Sequence, residues 1–119
     1  MIFKNYEEYL QELKKITQEY KGKMGCIVEF NGFVREYDLK EGKKVPAVGL
    51  KIEETILEKL QDIREKAIKN YELIEVVIYH NVGFLGIGER VASIAILAKH
   101  RWEAFEAIKF IIEEMKKYH

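Results

Sequence analysis

The sequence predicts an α+β fold, a mostly antiparallel sheet with helices packed on it, and three observations point that way. Apolar residues recur at helical spacing in three segments, near 6–20, 54–70 and 101–117. Runs rich in β-branched and aromatic residues lie between them. The resulting order, α-β-β-α-β-β-α, lacks the regular alternation of a doubly wound parallel sheet. At 119 residues and 48% hydrophobic content, the chain suits one compact domain spanning residues 1–119.

Asn5 is placed to cap the first helix, whose apolar residues are Tyr6, Leu10, Leu13 and Tyr20, and Gly22 is placed to stop it. Residues 24–35 read as a strand that Gly25 and Gly32 interrupt with a bulge or a close backbone approach. Residues 36–46, EYDLKEGKKVP, read as a polar loop closed by Pro46. A short strand near 47–53 leads into the second helix, with Ile56, Leu57, Leu60, Ile63 and Ala67 on one face. Residues 73–81 and 89–98 read as strands joined by NVGFLGIGE, a glycine-rich hairpin connection. That connection lacks the lysine of a nucleotide-binding loop and sits between strands instead of before a helix. The last helix is strongly amphipathic.

Lys plus Arg and Asp plus Glu both total 20, so no global field favours nucleic acid or an anionic membrane, and an anion site must be local. Cys26 is the only cysteine, which excludes an intramolecular disulfide and a thiolate cluster and fits a reducing cytoplasm. Lying within a strand, it is expected to be buried and inert. No run approaches the roughly 18 apolar residues of a membrane span. His80 has no second histidine or carboxylate at ligand spacing, so no metal is assigned.

Three clusters carry chemistry. Arg35 closes Phe30-Asn31-Gly32-Phe33-Val34-Arg35, where it either forks onto a phosphate or is simply a strand-end surface residue. His100 and Arg101 open the last helix, where free backbone N–H groups and the helix dipole favour an anion; alternatively His100 only caps the helix or fills a corner. Lys116 shares a helical face with Phe105 and Ile112. It is either a snorkelling lysine complementing the helix C-terminus or an amine at a pocket rim, available for proton transfer or nucleophilic work. Arg101 and Lys116 lie 15 residues apart, roughly 22 Å along one helix. One small substrate cannot bridge them. A two-fold dimer that brings Arg101 of one chain towards Lys116 of the other is the simplest way to use both.

FNGFVR (30–35), HNVGFLGIGE (80–89) and AKHRWEAFEA (98–107) resemble, in order, three signature segments of molybdopterin synthase large subunits, the MoaE family. The resemblance implies an α/β-hammerhead type of α+β fold and a homodimer carrying a small ubiquitin-like sulfur-carrier subunit at each end. It implies sulfur transfer from the carrier's C-terminal Gly-Gly thiocarboxylate to cyclic pyranopterin monophosphate, which forms the molybdopterin dithiolene. No cofactor or metal is implied. Carried over by position, it puts Phe30, Arg35 and Met115 at the substrate pocket and His100 and Arg101 at an anion position supplied across the dimer. Lys116 takes the place of the family's essential lysine. Two departures stand out. Family members carry a second lysine in a Pro-x-Trp-Lys-x-Glu-like segment that has no counterpart in residues 1–119, and Lys117 points about 100° away from Lys116. Residues 50–54, LKIEE, replace a Leu-Glu-Tyr-like strand. The alternative reading is a non-catalytic dimeric module of the same fold that docks a ubiquitin-like partner.

Overall fold

The structure is a computed structural model that describes residues 1–47 and 49–119. Its centre is a four-stranded sheet in the order β1-β6-β8-β2, made of β1 (Ile2–Phe3), β6 (Glu75–His80), β8 (Arg90–Ala98) and β2 (Cys26–Phe33). Only the β1–β6 pair is parallel; β6–β8 and β8–β2 are antiparallel. Helix α1 (Tyr6–Glu19) covers one face, and α2 (Ile56–Tyr71) and α3 (Arg101–Lys116) cover the other.

This layering explains the sequence pattern of the inner strands. Val76, Ile78, Ile94 and Ile96 pack under α2 and α3, while Val77, Tyr79, Ala95 and Leu97 pack under α1. A strand covered on both faces is apolar at consecutive positions, as β6 and β8 are. β2 is a sheet edge and instead alternates half-buried with exposed residues. Cys26 opens it half-buried, with its thiol free, and is less enclosed than expected.

Asn5 caps α1 as expected, its side-chain oxygen accepting from the Glu8 N–H at 3.1 Å. The buried face of α1 differs from the expected one: Tyr9 and Ile16 are enclosed, Tyr6, Leu13 and Tyr20 flank them, and Leu10 lies outside at 37% exposure. In α2, Ile56, Leu60, Ile63 and Ala67 are buried as their spacing predicts. In α3 the buried stripe is Ala104, Ala107, Ile111 and Met115. Phe105, Ile112 and Lys116 each follow one of these by one residue, so they form the adjoining stripe along the edge of the core.

Residues 36–46 correct the expected polar loop. They contain a hairpin, β3 (Tyr37–Lys40) with β4 (Lys43–Pro46), turned at Glu41 and Gly42, both at positive φ (52° and 77°). Almost every residue of it is exposed, so no alternation marks it as sheet. The short strand after Pro46 is β5 (Leu50–Ile52); it pairs with β7 (Gly83–Leu85), which lies inside the connection between β6 and β8. Among the described residues no helix is long and apolar enough to cross a membrane.

Candidate functional site

A cleft of about 440 Å³ opens where the end of β2, the segment after it, the start of β8 and the C-terminal turn of α3 converge. That volume lies in the range of small-ligand sites. The pleat of β2 turns Phe30 towards the α2–α3 side, where its ring joins the main core and forms a wall of the cleft. Two residues on, Gly32 has no side chain to fill the space; a Cβ there would stand 3.2 Å from the edge of the Phe30 ring.

The sheet is irregular at this point. Gly32 pairs with Ala92 and Phe33 with Arg90, so Val91 is the extra residue of a bulge in β8. The bulge lets the sequence neighbours Val91 and Ala92 both line the cleft. Gly49 lines it from the chain leading into β5. Its φ of +130° and the carbonyl of Leu85, 2.6 Å from where a Cβ would sit, require glycine.

Charge sits at the mouth. Arg35 follows β2 and is largely exposed, with an ion pair of 3.5 Å to Asp38 at the start of the hairpin; both line the cleft. Such an exposed pair contributes little, so the guanidinium is available to an anion that offers better geometry. Met115 forms part of the floor at 3% exposure, and Lys116, exposed at the rim, stands beside it.

Four of the residues singled out in the sequence, Phe30, Arg35, Met115 and Lys116, therefore line one cleft. His100 and Arg101 do not join them. They sit exposed at the opposite end of α3, where His100 is the N-cap residue in extended backbone but makes no capping bond with its side chain. The Arg101 guanidinium lies 5.2 Å over the ring of Trp102, which meets Phe105 edge to face at 6.1 Å. Trp102 is 67% and Phe105 46% exposed, so the two cations border an uncovered aromatic patch.

Among the lining residues that were not singled out in the sequence are Asp38, Gly49 and His119. Asp38 lay in the apparent loop. His119 had a usable signal, since it follows Lys116 by three residues, a spacing that shares a helix face. Its ring reaches His80, which is fully buried at the end of β6; the two Nε2 atoms are 2.9 Å apart. Burial lowers the pKa of His80 to about 4. The His119 ring, desolvated where it meets His80 although the residue as a whole is exposed, is lowered too, and the Lys116 charge lowers it further.

A second polar group lies on the α1 side of the sheet. Ser93 and Arg90 both donate to the Asn31 side-chain oxygen, and Tyr9 donates to Glu29 at 2.6 Å. The Arg90 guanidinium is sandwiched against Tyr6 and Phe33, at 4.2 and 4.8 Å. These groups satisfy one another and lock β2 to β8. Among the described residues no cluster of three or more His, Cys, Asp or Glu side chains is arranged to hold a metal.

Known proteins resemble this chain over most of its length. An uncharacterized protein of Methanocaldococcus jannaschii is 59% identical over 119 residues, covering the whole of both chains. A molybdopterin synthase catalytic subunit of Pyrococcus abyssi is 36% identical over 94 residues, 78% of this chain but 62% of that protein. This chain thus spans less than two thirds of the Pyrococcus subunit's length. Among solved structures, a complex of subunits 1 and 2 of the molybdopterin-converting factor of Helicobacter pylori superposes with a TM-score of 0.65 at 22% identity, covering 97% of this chain and 75% of that one. At that identity the likeness is one of fold. The family model described as MoaE protein matches residues 5–118, and on that match this chain belongs to the MoaE family.

Proposed function

We propose that this chain, acting as a single domain of residues 1–119, is the catalytic subunit of a cytoplasmic molybdopterin synthase. In this reading it transfers sulfur from the thiocarboxylated C-terminus of a small ubiquitin-like carrier to cyclic pyranopterin monophosphate, forming the dithiolene. The observation that carries the reading is the gathering of Phe30, Arg35, Met115 and Lys116 around one cleft of ligand size. The relatives named molybdopterin synthase catalytic subunit support it, as does the fold shared with a two-subunit complex.

The chemistry suits these side chains. The Phe30 ring and Met115 offer apolar contact to a flat bicyclic substrate, and Arg35 offers a forked donor to its phosphate. In this reading the Lys116 ammonium, at the cleft rim, meets the arriving sulfur. It is placed to polarise the thiocarboxylate carbonyl or to supply a proton as the carbon–sulfur bond forms. An extended peptide terminus can enter at the open mouth between Arg35 and Lys116.

His100 and Arg101 enter through a homodimer. A two-fold axis near the middle of α3, with the two helices antiparallel, would cover the exposed Trp102–Phe105 patch and carry Arg101 of the partner subunit towards Lys116. With a carrier on each protomer the assembly would be a heterotetramer.

The test is to incubate the protein with thiocarboxylated carrier and precursor and to oxidise the product to its fluorescent pterin. Fluorescent product is expected from the wild-type chain. Its absence from a dimeric, carrier-bound sample would instead mark a non-catalytic docking module.

A further inference from the structure

Behind the cleft wall, the contact between His80 and His119 determines where each ring carries its hydrogen. His80 Nδ1 lies 2.7 Å from the backbone carbonyl of Asn81, and its Nε2 lies 2.9 Å from Nε2 of His119. A carbonyl only accepts, so Nδ1 of His80 is the protonated nitrogen. His80 is fully buried with no carboxylate against its ring, and its pKa of about 4 keeps it neutral at pH 7. Its Nε2 is therefore bare and must accept. The donor opposite is Nε2–H of His119, which leaves the lone pair of a neutral His119 on Nδ1. The rings cross at 72°, with centroids 5.0 Å apart.

We propose that His119 is a proton-accepting group of the cleft, taking a proton on Nδ1, and that His80 is the positioning residue that fixes this tautomer. The inference deepens the sulfur-transfer reading and rests on it only for the identity of the proton donor. When an acidic group of the bound substrate gives up its proton, the bonding electron pair stays on the substrate and the Nδ1 lone pair forms the new N–H bond. His119 becomes an imidazolium whose Nε2–H goes on donating to neutral His80, so the positive charge created on His119 balances the negative charge left on the substrate.

The charges around His119 set its readiness. Desolvation of the ring where it meets His80 and the Lys116 ammonium in the last turn of α3 lower its pKa, so it is neutral and able to accept at pH 7. Arg35 and Asp38, of opposite charge and paired with one another, also line the cleft. From α2, Lys59 stands over the ring of neighbouring Tyr118 at 5.8 Å, and from β6 the facing group is neutral His80. An anion bound in the cleft would shift this balance towards the protonated form.

Imidazole ¹⁵N spectra of the full chain test the pair directly. At pH 8 we expect His119 protonated on Nε2 and bare on Nδ1, and saturating inorganic phosphate to raise its titration midpoint. Finding the hydrogen on Nδ1 of His119, or a midpoint that phosphate leaves unmoved, overturns the proposal. His80→Phe removes the acceptor and should mix the His119 tautomers, while His80→Gln, whose amide oxygen can accept, should restore them. Since His80 is fully buried, the exposed His119→Gln variant provides the arm that does not depend on refolding the core. In the sulfur-transfer assay it should lower kcat about 100-fold with KM unchanged and abolish the acid limb of the pH profile. Unchanged kcat with the same acid limb would also defeat the proposal. If wild-type protein makes no pterin product, the synthase reading fails and the nitrogen spectra still decide the pair.

Discussion

The two ends of helix α3 meet opposite surroundings. At its C-terminal end Met115 is buried and Lys116 stands at a cleft whose other walls come from β2, the segment after it and β8. At its N-terminal end His100, Arg101 and Trp102 are exposed, and Arg101 and Trp102 stack on one another. The chain assembles the first end by itself. The second offers cations and aromatic surface that remain uncovered. Any chemistry that uses both ends therefore calls for a second molecule, because roughly 22 Å of rigid helix separates them.

Four experiments can break or sharpen this contrast. Lys116→Ala should have the largest effect, lowering pterin production by roughly 100-fold to 10,000-fold, the usual contribution of a positioned proton donor. The dimer should be intact by light scattering, and full activity would remove Lys116 from the mechanism. Mixing Lys116→Ala with Arg101→Ala protomers extends the test. If the ends of α3 meet across a dimer, mixed dimers regain product because one site holds both intact residues. Inactive mixtures would separate the two ends functionally.

Stability against pH reads the anchored end. His80 has a pKa of about 4 in the folded chain against 6.5 when unfolded. Between those values the unfolded chain binds more protons, so stability is full above pH 6.5 and falls as pH drops towards 4. The loss is about 3 kcal/mol from this group. Urea denaturation at a series of pH values should show this slope, and His80→Gln should flatten it.

Arg35→Ala should weaken kcat/KM by about 10-fold to 100-fold, the worth of charge-assisted hydrogen bonds to a phosphate at roughly 1.5–3 kcal/mol. The loss of the exposed Asp38 pair should leave thermal stability nearly unchanged. The smallest effect belongs to the open end. His100 makes no side-chain capping bond, so His100→Asp should raise stability by about 1 kcal/mol in thermal denaturation. The same change should lower activity, because it sets a carboxylate where an anion is expected.

The helices were legible because their evidence is local. The Asn5 cap and the spacing of Ile56, Leu60, Ile63 and Ala67 can be read from one stretch of chain. Phe30 and Arg35 were legible through a motif and Lys116 through the helix face it shares with Phe105 and Ile112, and the structure places all three on one cleft. The β3–β4 hairpin was not, because both of its faces are wet and its polar residues read as loop; the positive-φ pair Glu41-Gly42 was the missed turn signal. Tyr9 and Ile16 were missed as the buried face of α1, because the tyrosines flanking them fit a helical stripe equally well.

By itself the sequence determined the three helices, the strands near 73–81 and 89–98, the α+β class and the family. Each of these is written in apolar periodicity or in short ordered motifs. Tertiary structure alone decided that β1 pairs in parallel with β6, that β5 finds β7, that a bulge opens the cleft at Val91, and that His80 meets His119 across 39 positions. Periodicity reports only which face of an element is apolar. Which distant groups that face brings together depends on how the covered sheet stacks its helices.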